Sequence, residues 1–124
     1  MKSGSKEHKA QFVEEKLKIL NENIWETEIL ELISEAELTT AKGEVAKKRA
    51  RVEEIEEKMM RKEYPSANAG HKELDPAKEE LKEAEENVKR LDNVMQRLHE
   101  DTQKNEAMIE RFNKWQSNGK TKQV

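Results

Sequence analysis

Apolar residues recur at alternating intervals of three and four along the second half of the chain. Ten of the twelve positions in this series are apolar, and the exceptions are Thr102 and Asn105. This spacing lines one side of an α-helix with residues that pack against a partner helix. It therefore predicts a coiled-coil helix built on Leu74, Ala77, Leu81, Ala84, Val88, Leu91, Met95, Leu98, Thr102, Asn105, Ile109 and Phe112.

The first half of the chain carries a second heptad, which is less purely apolar. Polar residues interrupt it at Thr27, Glu31, Ser34 and Lys48, but the alternating spacing is kept throughout. A second long helix with its own apolar seam is therefore expected. Its a positions are Leu17, Ile24, Glu31, Leu38, Val45, Val52 and Met59, and its d positions are Val13, Leu20, Thr27, Ser34, Ala41, Lys48 and Ile55.

A break separates the two heptads. Pro65 lacks a backbone N–H and disfavours helix at Tyr64, and the segment 66–70 is rich in turn-forming residues. Asp75 followed by Pro76 has the pattern of an N-cap and a first helical residue.

The resulting boundaries divide a single coiled-coil domain into five segments, with Asn118-Gly119 as the stop signal of the second helix. They are a flexible N-terminus at 1–5, helix 1 at 6–63, a loop at 64–74, helix 2 at 75–117 and a flexible C-terminus at 118–124. Two long helices joined by a short loop favour an antiparallel hairpin. The predicted fold is all-α.

One register of the hairpin matches both apolar and polar seam residues. When paired numbers add up to 136, Ile55 lies opposite Leu81, and Arg49 flanks the seam near Glu85. The polar residues at heptad positions of the two helices also lie opposite each other. Such polar pairs favour one register, because a slipped register would place each polar residue against an apolar one. The predicted register-setting layers pair Ser34 with Thr102 and Glu31 with Asn105.

Helix 1 carries a further stripe on the side away from the seam. Its spacing again alternates between three and four, and its first half is bulky whereas its second half is small. A solvated helix face would be charged instead, so this surface is a candidate interface with a dimer mate or another protein's helix. We call it the second face; its residues are Trp25, Ile29, Leu32, Ala36, Thr39, Gly43, Ala46 and Ala50, together with Ile33, which lies beside the stripe.

An antiparallel homodimer fits the second face, because each large residue then meets a small one. If paired numbers add up to 75, Trp25 meets Ala50 and Leu32 meets Gly43 of the other copy. Such an isologous twofold contact predicts a four-helix assembly formed by two hairpins. The simpler alternative is that the alanines are merely helix formers and the bulky half covers a local neighbour.

The ends of the predicted helices suggest a second partner-binding patch. In the 136 register, helix 1 extends past the end of helix 2, so Phe12, Val13 and Leu17 project beyond the hairpin, with Trp115 nearby. These four residues therefore form a candidate patch at the end of the hairpin.

Composition removes most kinds of chemistry. The chain is 41% charged and 33% hydrophobic, with no Cys and a net charge of −3. We therefore expect no disulfide, no thiolate metal site, no membrane span and no cofactor. The three histidines lack metal-ligand spacing, and no catalytic motif is present, so a non-enzymatic protein is expected.

Three functions remain open at this point. The favoured one is a structural or adaptor coiled coil that dimerises and scaffolds protein–protein interactions. A helical-hairpin chaperone or escort that binds a partner helix is the second. The third is weak nucleic-acid binding through the basic block Lys47–Arg51, although the glutamates that follow at 53, 54, 56 and 57 offset its charge. An intracellular location is expected because the N-terminus lacks the apolar segment of a signal peptide.

Overall fold

The computed structural model describes the backbone of residues 2–122 and the side chains of residues 7–118. It contains two α-helices, α1 (Lys2–Met60) and α2 (Ala67–Lys122), and no strand in the described part of the chain. The helices pack against each other as a hairpin. The predicted all-α hairpin is therefore confirmed, whereas the four-helix assembly remains a prediction.

Every position of the two predicted heptads is buried or half-buried. Ile55 is the most deeply buried large side chain, at 1% exposure. Even the polar heptad residues Thr27, Glu31 and Lys48 are half-buried. The alternating spacing thus identified the seam of each helix, because residues three and four apart lie on one helical face.

Packing divides the chain into two compact units, each formed by a segment of both helices. The first contains the residues up to Leu32 and those from Gln96 onward, and the second is Ile33–Met95. In the first unit, Val13 and Leu20 are buried. The core of the second unit consists of Val52, Ile55, Leu74 and Ala77, against which Met59, Tyr64 and Leu81 pack.

The end of α1 is fixed by a left-handed residue. Lys62 has a φ of 57°. Its N–H donates to the Met59 carbonyl at 3.1 Å, and the Glu63 N–H donates to the Lys58 carbonyl at 3.0 Å. This pair of hydrogen bonds is a Schellman motif, whose left-handed position usually holds glycine because other residues pay a steric cost there.

The start of α2 lies eight residues before the predicted position. Ser66 caps the helix, since its Oγ accepts a hydrogen bond from the Ala69 N–H at 3.2 Å and its carbonyl accepts one from the Gly70 N–H at 3.3 Å. The predicted loop at 64–74 is therefore wrong, and the connection is limited to residues 61–66. A serine at an N-cap stabilises a helix by about 0.5–2 kcal/mol.

Pro76 consequently lies inside α2 rather than at its start. A proline in a helix interior costs about 3 kcal/mol. The residues on either side of it offset this cost, because Leu74 and Ala77 are both buried in the core of the second unit. Full burial of one large apolar side chain contributes roughly 1.5–3 kcal/mol, so tertiary packing overrides the local start signal at Asp75-Pro76.

The shorter connection also changes the pairing in the second unit. Two contacts show which residues lie opposite each other. Gly70 is next to Met59, since a Cβ on Gly70 would lie 2.8 Å from Met59 Cγ, and Lys48 Nζ lies 3.1 Å from Glu80 Oε2. These partners lie about one heptad closer to the connection than the 136 register predicts. The predicted flanking ion pair between Arg49 and Glu85 is present, with 3.6 Å between Nη2 and Oε1.

The helix ends also differ from the predicted boundaries. α1 begins at Lys2 rather than at residue 6, and α2 continues through Gly119 to Lys122. The segments predicted as flexible ends are thus helical at residues 2–5 and 118–122. Residues 1, 123 and 124 lie outside the described part of the chain.

Tyr64 ties the connection to α2. Its hydroxyl donates a hydrogen bond to Glu73 Oε2 at 2.6 Å. This bond exists only while the phenol is protonated, so it raises the pKa of Tyr64 above its ordinary value of 10.0, with smaller contributions from desolvation and from the negative charge of Glu73.

Replacing the left-handed lysine by glycine should stabilise the hairpin. Lys62→Gly removes the steric cost of a side chain at φ 57°, and we expect a gain of about 0.5–1 kcal/mol in the free energy of unfolding. The control is Lys72→Gly, in the exposed interior of α2, which should lose about 1 kcal/mol. Urea unfolding followed by circular dichroism measures both changes. Equal losses in the two variants would contradict the left-handed assignment.

The Tyr64–Glu73 hydrogen bond should make stability fall at alkaline pH. The pKa of Tyr64 is raised in the folded state, so its contribution is fully present below about pH 10 and is lost as the pH rises through the raised pKa. Tyr64→Phe has no such hydroxyl. The stability difference between wild type and Tyr64→Phe, measured by thermal unfolding between pH 8 and 11.5, should therefore shrink at the alkaline end. A difference independent of pH would refute the assignment.

Candidate interaction face

The bulky half of the second face is exposed to solvent in the hairpin. Trp25 and Leu32 expose 64% and 67% of their surface, and Ile33 exposes 51%. Ile29 is the least exposed of the four, at 37%. Because they lie on the side of α1 away from its seam, the packing of α1 against α2 does not cover them. A local neighbour, the simpler alternative for this half, does not bury them in the described structure.

The small half of the second face is exposed as well. Ala36, Thr39, Ala46 and Ala50 are all open to solvent. The Thr39 hydroxyl donates to the carbonyl of Glu35 at 3.0 Å within its own helix. This half can therefore accept an apolar partner without leaving the Thr39 hydroxyl unsatisfied.

The two described interior glycines of the helices differ in their surroundings. A Cβ on Gly70 would collide with Met59, whereas a Cβ on Gly43 would meet nothing within 4 Å. Close packing inside the hairpin explains the glycine at 70 and does not explain the one at 43. Since glycine in a helix interior costs about 1 kcal/mol relative to alanine, a close approach from outside the hairpin is a physical reason for Gly43.

The end-of-hairpin patch is only partly where the sequence predicted it. Phe12 and Trp115 are exposed by 54% and 44%, but Val13 is buried at 5% and Leu17 is half-buried. Val13 and Leu17 therefore do not project beyond the hairpin. The reason is the shift of the register toward the connection, which shortens the part of α1 that extends past its partners on α2. The Lys16 ammonium lies 5.6 Å from the centroid of the Phe12 ring.

The polar seam residues Glu31, Ser34, Thr102 and Asn105 are buried or half-buried, as expected for seam positions. Ser34 is 8% exposed. Thr102 Oγ1 lies 3.2 Å from Glu31 Oε1 and 3.1 Å from the carbonyl of Leu98. Glu31 therefore pairs with Thr102 rather than with Asn105, a shift of three residues toward the connection. This shift has the same sign as that in the second unit, where the shorter connection explains it.

Four exposed large apolar residues were not among the predicted interface residues, and they are Ile19, Leu30, Met60 and Met108. Met60 exposes 84% of its surface and continues one heptad line of the second face, fourteen residues after Ala46. Leu30 and Met108 are exposed by 49% and 44%. Met60 could have been found by extending the heptad of the second face to the end of α1. Leu30 lines an open cleft of about 280 Å³ in the first unit, together with Asn23, Thr27, Asp101 and Lys104.

The basic block is partly occupied by partners within the hairpin. Lys48 and Arg49 pair with Glu80 and Glu85 of α2. Lys47 lies 3.8 Å from Glu44 and remains 80% exposed. These contacts are typical of a solvated, ion-paired helix surface.

Groups able to hold a metal ion are absent from the described residues. His8, His71 and His99 are all exposed. No helix in the described part of the chain is long and apolar enough to span a membrane.

Comparisons with known proteins return no relative of this chain. No family model matches it, and neither a curated protein nor a solved structure is significantly similar.

The two glycines should respond oppositely to alanine in the dilute, unassociated chain. Gly43→Ala places its methyl group in open space and should stabilise the helix by about 1 kcal/mol. Gly70→Ala forces Met59 to move, so the gain in helix propensity should be cancelled or reversed. Urea unfolding of both variants at low protein concentration tests this. An equal gain in both would contradict the close contact at Gly70.

Proposed function

We propose that this chain is a non-enzymatic structural or adaptor coiled coil that dimerises through the second face of α1. Two hairpins would then form a four-helix assembly. The ends of the assembly, where Phe12 and Trp115 are exposed, would remain available to other proteins. The exposed apolar face of α1 is the property of the surface that favours this scaffold function.

The observation that carries the proposal is the exposure of Trp25, Leu32 and Ile33 on a helix whose seam is already packed. Contiguous exposed apolar patches are typical of interaction sites. Full burial of an exposed large apolar side chain contributes about 1.5–3 kcal/mol. These side chains are already partly covered, so each contributes roughly half to two thirds of that value, and a twofold dimer counts the contribution once for each copy. The total is comparable with the estimated cost of association, about 4–15 kcal/mol, so the face is large enough to support a dimer.

The small half of the face supports a helix as the partner. Ala36, Gly43, Ala46 and Ala50 leave room for large side chains from an approaching helix, and the space around Gly43 is open. Large residues packed against small ones give the interdigitation that well-packed helix interfaces need.

Sedimentation equilibrium tests the dimer. The wild-type chain should be dimeric at micromolar concentrations, and Gly43→Leu should shift it toward monomer because the added side chain fills the space meant for Leu32 of the other copy. Trp115→Phe leaves Trp25 as the only tryptophan, and its fluorescence should shift to the blue as the dimer forms. Gln96→Leu, which introduces the same residue on the exposed surface of α2, is the control and should leave the dimer intact.

A monomeric wild type across this range, or a dimer indifferent to Gly43→Leu, would remove the support for the scaffold. The runner-up function is an escort that covers a partner's helix with the same exposed residues. It requires a wild-type monomer that forms a complex with another helical protein and loses it in Gly43→Leu.

Nucleic-acid binding through Lys47–Arg51 is the third possibility, and the hairpin offers it little support. Lys48 and Arg49 already pair with α2, and the chain as a whole has a net charge of −3. Binding of this kind would fall steeply as salt rises, which separates it from association through an apolar face.

A further inference from the structure

The charges that border the second face divide it into an acidic half and a basic half. Glu26, Glu28 and Glu35 border the bulky half, and Lys42, Lys47 and Arg49 border the small half. All six side chains are exposed. Along α1, the side chains of the face therefore change from large to small and the border charges change from negative to positive, and both changes occur near the middle of the face.

We propose that these borders make the second face specific for a second copy of this chain in the antiparallel orientation. This inference rests on the proposed dimer and adds its orientation and its charge-based selectivity. In the antiparallel dimer, residues at the centre of the face meet when their numbers add up to 75. Residues on the border formed by Glu26 and Lys47 then meet when their numbers add up to 73. Those on the border formed by Glu28, Glu35, Lys42 and Arg49 meet when their numbers add up to 77. The predicted contacts between copies are Glu26 with Lys47, Glu28 with Arg49, and Glu35 with Lys42.

Each of these contacts occurs twice in a twofold dimer, and every one joins opposite charges. A parallel dimer would instead bring each border residue next to its own equivalent or to one of the same sign. It would also place Trp25 against Trp25 and leave the space at Gly43 unfilled. Size and charge, which are independent properties of the sequence, thus select the same orientation.

Most of the charged residues in these predicted contacts have no ion-pair partner within the described part of the hairpin. Within the described residues, Glu26, Glu28, Glu35 and Lys42 form no ion pair within 4.0 Å, whereas Lys47 and Arg49 form exposed ones with Glu44 and Glu85 at 3.8 and 3.6 Å. Exposed pairs of this kind contribute only about 0–1 kcal/mol. Lys47 and Arg49 can therefore be shared with a second copy at little cost.

Complementary charge reversal tests the selectivity. One variant carries Glu26→Lys, Glu28→Lys and Glu35→Lys, so both of its borders are entirely basic. The other carries Lys42→Glu, Lys47→Glu and Arg49→Glu, so both are entirely acidic. Each variant alone should dimerise at least about tenfold more weakly than wild type, because six contacts become repulsive. An equimolar mixture should recover a dimer of at least wild-type affinity, because all six contacts are again of opposite charge.

The controls separate the intermolecular contacts from effects within the hairpin. Circular dichroism should show the same helicity for both variants as for wild type, and the loss should diminish at high salt, where exposed pairs are screened. Arg49→Glu also faces Glu85, so a version of the acidic variant that retains Arg49 checks that this intramolecular repulsion is not the cause.

The distance between two spin labels reports the orientation of the dimer. A label can be attached at one introduced cysteine, because the chain has no native cysteine. Asn21→Cys is exposed and lies outside the second face. In the antiparallel dimer, residue 21 lies level with residue 54 of the other copy, so at 1.5 Å per residue the two labels should be roughly 50 Å apart. A parallel dimer would bring them to within about 25 Å.

The outcomes distinguish this inference from the proposed function. A wild-type dimer with a short label distance, or with charge-reversed variants that dimerise normally, would overturn the antiparallel selectivity and leave the scaffold intact. A wild type that stays monomeric at all concentrations would remove both. A long label distance combined with recovery in the mixture supports both.

Discussion

Burial of one alternating seam on each helix is the interaction on which the rest of this molecule depends. With 33% hydrophobic and 41% charged residues, the chain cannot surround a globular core, and its buried apolar side chains lie on these two seams. The seam tolerates Thr27, Glu31 and Lys48 because each retains access to water or a partner. Large apolar side chains of α1 that lie outside the seam, such as Trp25, Leu32 and Ile33, therefore remain exposed and available for association.

The seams could be predicted from the sequence because helical periodicity is a local property. Spacings of three and four residues define a face whatever the partner, and all heptad positions from Val13 to Met59 are at least half-buried. The connection could not be predicted in the same way. Asp75-Pro76 carries a strong local start signal, but burial of Leu74 and Ala77 keeps the helix intact around it. The observed register therefore differs from the predicted one, because the register of a hairpin depends on where the chain turns.

The same distinction explains the outcome at the candidate site. Periodicity placed Trp25, Ile29, Leu32 and Ile33 on a face other than the seam, and they are exposed. It could not establish the register of the hairpin, so Val13 and Leu17 were wrongly placed in an exposed patch. What covers an exposed face is not a local property either. It depends on complementarity of size and charge with a second surface, which is why the order of large, small, acidic and basic residues along α1 is informative.

The proline inside α2 has a consequence for how the hairpin opens. Pro76 cannot donate a hydrogen bond to the preceding turn, so the segment between Ser66 and Pro76 is joined to the rest of α2 by fewer hydrogen bonds than an uninterrupted helix would have. Its order relies on the Ser66 cap and on the burial of Leu74. Local unfolding that begins there would expose Val52 and Ile55 to solvent without requiring the whole seam to separate. Such opening would leave the helix around Trp25 and Leu32 intact, because the bulky half of the second face lies far along α1 from the connection.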